Sequence, residues 1–189
     1  MAGKLRRGFK AEAERVSKTL RQELGLTIHD RLDAFALAQH MRVRVRRLDQ
    51  MEGPGFSAED VAVLMDPIAG FSALTVWRDS RPVIVYNPRH SPVRTANDLC
   101  HECSHILHKH PPRPAIGFGG CREWDDRYEE EAVWQAGALL VPRDGAFELM
   151  RRGLSFFDGA SHFGVSESLF RWRAQKTGVV HVVSLLPAR

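Results

Sequence analysis

Two proline signals bracket the segment of this chain whose fold is most constrained. Ser91-Pro92 is a helix start: serine can cap the first turn, and proline suits a first helical position, where no backbone donor is needed. Pro111-Pro112 is a stop, because proline disfavours helix in the residue before it and lacks a backbone donor. The interval predicts about 18 helical residues, about 27 Å at ~1.5 Å per residue. In its middle stands His101-Glu102-Cys103-Ser104-His105, an HExxH pattern. On a helix, positions four apart lie on one face, so His101 and His105 can present two imidazole nitrogens to a single zinc ion. Glu102, rotated around the helix, is the candidate general base that takes a proton from the attacking water.

A catalytic zinc usually has three protein ligands and one open position. His108 shares the face of His101 and His105 but lies about 10 Å along the axis from His101, too far to join them. It reads as a cleft residue, and His110, at the helix end, is a weaker candidate still. The acidic run Glu129-Glu130-Glu131 opens a second predicted helix, from about Asp125 to Val141, ended by Pro142. On it Glu129, Ala132, Ala136 and Leu139/Leu140 form one stripe at helical spacing. Small alanines there permit close helix approach, so Glu129 is the expected third ligand. Glu130 is its rival, and both Glu130 and Glu131 are expected to turn toward solvent.

The rest of the chain supports an α+β fold in a single domain, residues 1–189. Residues 9–24 and about 30–40 read as helices and 41–48 as a half-buried strand; Phe71–Trp77 and Pro82–Tyr86 flank Arg78-Asp79-Ser80-Arg81 as a hairpin. Glu52–Phe56 and Arg113–Cys121 read as loops. The net charge of +4 is uneven, positive in residues 1–50 and 143–189 and negative between them, where a cation site would be favoured. No stretch is apolar enough to span a membrane, and the basic N-terminus lacks a following apolar region, so a cytoplasmic setting is expected. Cys100, Cys103 and Cys121 do not make a disulfide framework; the first two read as small packing residues.

With His101-Glu102-x-x-His105 and Glu129-x-x-Ala132-x-x-x-Ala136-x-x-Leu139-Leu140-Val141-Pro142 in place, the chain resembles the ImmA/IrrE family of metallopeptidases. Gly8-Phe9-Lys10-Ala11, Leu24-Gly25-Leu26, Phe71–Thr75 and Tyr86-Asn87-Pro88 also look like family segments. The resemblance implies a zincin-like fold: a small antiparallel sheet packed on the HExxH helix and on a second, ligand-bearing helix. It implies Zn²⁺ held by residues matching His101, His105 and Glu129, with Glu102 matching the base. The implied reaction is hydrolysis of a peptide bond in a protein substrate, a helix-turn-helix transcriptional repressor. Cys100, Cys103-Ser104 and Gln135 depart from the usual family residues. An oxyanion-stabilising donor is also expected, with His108, Tyr128 and His162 as unranked candidates.

A second function class is carried by residues 155–178. Ala160-Ser161-His162-Phe163-Gly164-Val165-Ser166 resembles the turn of a helix-turn-helix, and Arg171, Arg173 and Lys176 on the following helix could meet DNA. Against this, Arg173 stands where a buried aliphatic is usual, and Glu167 would face phosphates.

Overall fold

The computed structural model describes residues 5–51, 57–66, 70–78, 81–111 and 126–186. Helix α1 (Phe9–Glu23) buries Phe9, Ala13 and Leu20 together with the polar Ser17 and Arg21. Helix α2 (Ala34–His40) starts later than the expected residue 30, because Asp33 caps it by accepting from the backbone N–H of Phe35 and Ala36. Strand β1 (Arg44–Arg47) and the 3-10 turn Leu48–Gln50 lead to α3 (Ala58–Leu64), started by a capping box between Ser57 and Asp60. Strands β2 (Ala73–Arg78) and β3 (Arg81–Tyr86) follow. The expected loops 52–56 and 113–121 fall outside the described residues, as does the centre of the hairpin turn.

Strand β2 runs antiparallel to β3, with Ala73 opposite Tyr86 and Arg78 opposite Arg81. The sheet is nevertheless mixed rather than wholly antiparallel as expected: β1 lies parallel to β3, Arg44 opposite Val83 and Arg47 opposite Tyr86, giving the order β1-β3-β2. The chain leaves β1 through α3 and β2 before reaching β3, and such a crossover returns a strand in parallel. Central placement explains the unbroken Val83-Ile84-Val85 run, apolar on both faces. Ile84 joins the main core with Leu99, Cys100, Cys103 and Leu139, while Val85 packs with Leu48 and Met65 under α3.

Helix α4 (Pro92–Leu107) carries HExxH, and α5 (Asp126–Leu140) packs along it. The two helices pack closely, and the small or slender side chains Cys100, Cys103 and Ser104 on α4 and Ala132 and Ala136 on α5 are all essentially inaccessible. Burial raises both thiols, Cys100 well above its usual range and Cys103 to about 12, so neither is a reactive group.

The C-terminal end of α5 is capped from outside the helix. Ser17 Oγ donates to the Ala138 carbonyl at 2.6 Å, and the Arg21 guanidinium to that of Leu139 at 2.9 Å. Arg173 Nε donates to the Val141 carbonyl at 3.2 Å while its Nη2 meets Glu14. Burial lowers the Arg21 pKa to about 10.

Helices α6 (Arg143–Arg151), α7 (Phe156–Phe163), α8 (Glu167–Lys176) and α9 (Val179–Ser184) complete the described fold. Gly164, at φ +66°, turns the chain between α7 and α8, and a Cβ there would collide with the Arg31 guanidinium. Phe163, Val165 and Phe170 are buried around this turn. Arg173 is also fully buried, and Arg171 pairs with Glu167, so the basic face that the helix-turn-helix reading needs is reduced.

Candidate metal centre

Helix α4 is held at both ends. Ser91 Oγ accepts from the Arg94 N–H, with Pro92 in the first turn, as its sequence indicates. At the far end Lys109 adopts φ +52°, and the His110 N–H returns to the His105 carbonyl at 3.0 Å. This is the Schellman closure, accomplished here without glycine. It folds His110 back over the last turn of α4 instead of leading it away.

His101 and His105 lie one turn apart, their Nε2 atoms 3.1 Å from each other. The first turn of α5 brings Glu129 to them: Oε2 is 3.3 Å from His101 Nε2, and Oε1 is 3.5 Å from His105 Nε2. Atoms bound at ~2.0–2.1 Å to a tetrahedral ion lie about 3.3 Å apart, so this triangle has the dimensions of one face of such a site. Two imidazoles and a carboxylate are also the borderline donor set that Zn²⁺ accepts. Among the described residues these three form a group able to hold a metal ion. Glu130 is half-buried and is not part of that group.

Glu131 departs from expectation. It is 6% exposed rather than solvent-facing. Helix α5 has two buried faces: the alanine stripe meets α4, while Glu131, Gln135 and Ala138 lie on the other buried side, where Gln135 donates to the Ala13 carbonyl of α1. The carboxylate is satisfied there by Arg6 Nε at 3.1 Å and by His110 Nε2 at 3.3 Å. The other nitrogen of His110, Nδ1, is 3.0 Å from His105 Nδ1. Burial lowers the His110 pKa, favouring its neutral form.

Glu102 receives a hydrogen bond from Thr75 Oγ1 of β2 at 2.6 Å. The two residues line one cleft of about 380 Å³, together with His101, His105 and Glu129. Among the described strands β2 is an edge of the sheet, and it forms one wall. Asp98, also lining the cleft, is bound to His90 Nδ1 at 3.1 Å; burial nonetheless raises its pKa.

None of the three expected oxyanion donors is among the described residues lining this cleft. His108 is packed against Phe9, with its Nε2 donating to Gln135 Oε1 at 2.9 Å. His162 donates to the His29 carbonyl at 2.6 Å, and the Tyr128 ring packs on His110 at 4.9 Å. The sequence reading missed Thr75 and the pairing of His110 with Glu131. The five-residue step from His105 to His110, set just before a double proline, is the available signal that the chain folds back there.

No curated protein matches the chain. Residues 36–175, most of its length and the whole of the HExxH and Glu129 region, match the profile of the IrrE N-terminal-like peptidase domain, and the chain therefore belongs to the ImmA/IrrE family of metallopeptidases.

Proposed function

We propose that this protein is a zinc-dependent endopeptidase that acts in the cytoplasm on a protein substrate, a helix-turn-helix transcriptional repressor. His101, His105 and Glu129 are assigned as ligands and Glu102 as the general base. The observation that carries the reading is the convergence of those three ligand atoms in the cleft where Glu102 is held by Thr75. The repressor substrate rests on the family resemblance. Among the described residues no helix is long and apolar enough to cross a membrane. Residues 1–189 are taken as one domain, with 155–178 as its helix-turn-helix-like part.

Zn²⁺ bound by the three ligands would polarise the scissile carbonyl and acidify water. Thr75 occupies Glu102 Oε2, leaving Oε1 to receive the proton as water oxygen bonds to the carbonyl carbon. The same carboxyl then delivers that proton to the amine nitrogen as the carbon–nitrogen bond breaks. Among the described strands β2 is paired on one side only, so its other side offers backbone groups along the cleft, suited to aligning an extended peptide. Glu102→Gln is expected to retain zinc and to lose about 10²–10⁴-fold in cleavage of a helix-turn-helix repressor substrate. Unimpaired cleavage by that variant overturns the assignment.

The turn between α7 and α8 supports a second reading, DNA binding with a structural metal site. Salt-dependent binding to duplex DNA that disappears in Arg171→Ala/Lys176→Ala, together with no peptide cleavage, would favour it.

A further inference from the structure

We infer that His110 and Glu131 form a positioning relay that holds His105 in its ligating orientation, and that Arg6 clamps the relay from the N-terminal segment. The inference rests on the assignment of His105 as a metal ligand and names residues outside the ligand set.

The proton arrangement follows from the distances. For Nε2 of His105 to ligate, it must carry a lone pair, so the ring proton of neutral His105 is on Nδ1. That Nδ1–H faces His110 Nδ1 at 3.0 Å, which must accept. The His110 proton is then on Nε2, where it donates to Glu131 Oε2 at 3.3 Å. Glu131 Oε1 is taken by Arg6 Nε at 3.1 Å, and the other guanidinium nitrogens of Arg6 bind Glu12 at 2.7 and 2.9 Å. Each step has one donor and one acceptor, and the buried carboxylate at the end is neutralised. A ligating imidazole held through its second nitrogen is fixed in tautomer and ring plane, and such outer partners typically change metal affinity 10–100-fold. Here a second histidine stands between ligand and carboxylate, because the αL turn at Lys109 places His110, not an acidic residue, beside His105.

The test measures Zn²⁺ affinity of the full chain by competition with a chromophoric chelator, and the visible absorption of its Co²⁺ form. His110→Phe keeps a ring of similar size but neither accepts nor donates. It is expected to weaken zinc binding about 10–100-fold and to alter the Co²⁺ bands. Glu131→Gln can still accept from His110, so a smaller loss of affinity is expected; it decides the matter if His110→Phe does not fold. Zinc affinity and Co²⁺ spectra unchanged from wild type in the folded variants overturn the relay while leaving the ligand assignment intact. Failure of the wild-type chain to bind either metal overturns the ligand assignment, and the relay with it.

Discussion

Thr75→Val isolates what the strand contributes to the reaction. The change removes one hydroxyl and keeps the β-branched shape that a strand accommodates. What is lost is the 2.6 Å hydrogen bond to Glu102 Oε2. A hydrogen bond to a charged group contributes about 1.5–3 kcal/mol, and water entering the cleft replaces part of it, leaving ~1–2 kcal/mol. At ~1.4 kcal/mol per tenfold, kcat/KM should fall about five- to thirtyfold. The loss should appear in kcat, because a mispositioned base slows proton transfer without removing contacts to bound peptide. Zinc affinity should not change, since the three proposed ligand atoms lie on α4 and α5. The same lost hydrogen bond should lower the melting temperature by about 2–8 °C, at ~2–4 °C per kcal/mol for a chain of this length. Thr75→Ser, which keeps the oxygen, should retain most of the activity. Cleavage of the proposed repressor substrate, followed by gel or mass spectrometry, is the assay. Full activity in Thr75→Val, or an equal fall in Thr75→Ser, would refute the reasoning.

Three further outcomes concern stability. Arg173→Met removes the buried cation from Glu14, which keeps only the Arg143 N–H and water, and leaves the Val141 carbonyl without its guanidinium donor; with Glu14 partly exposed, a loss of ~3 kcal/mol, about 6–12 °C in Tm, is expected. Adding Glu14→Gln should recover much of it, and a double variant as unstable as the single one would contradict the pairing. Lys109→Gly removes a side chain from φ +52°; relief of ~1–2 kcal/mol, offset by the greater entropy of the unfolded chain, leaves a net gain of ~0.5–1 kcal/mol by denaturant unfolding, and destabilisation would count against the αL closure. Glu148, clasped by Arg151 and Arg152, has its carboxyl lowered to about 2 from an ordinary 4.5. A depressed folded-state pKa stabilises above about pH 4.5, and that contribution is lost as pH falls toward 2. Glu148→Gln should therefore be less stable than wild type at pH 6, with the gap closing by pH 2; equal stability at pH 6 would refute the interaction.

What could be read in advance was whatever is encoded locally. The cap of α4 at Ser91-Pro92, the stop of α5 at Pro142 and the two apolar runs of the β2–β3 hairpin about Arg78–Arg81 depend on neighbours in sequence. The alanine stripe on α5 identified Glu129 because a face that packs closely on another helix shows its small residues directly. Glu131 escaped because its burial depends on Arg6, far away in the sequence, and on the second buried face that α1 gives α5. His110 escaped because its orientation is set by a lysine in a conformation usually taken by glycine. The parallel pairing of β1 was hidden for a related reason: a short strand does not encode which partner it will meet.

The caps at the end of α5 bear on where this protein can be cut. The family profile begins at residue 36, yet Ser17 and Arg21, which hold the Ala138 and Leu139 carbonyls, precede it. A fragment trimmed to the matched residues 36–175 would keep HExxH and Glu129 but expose the last turn of the helix that carries Glu129. Similarity and self-sufficiency thus have different borders in this chain. Sequence drift in the first thirty-five residues can stiffen or loosen the metal centre while every motif residue stays in place.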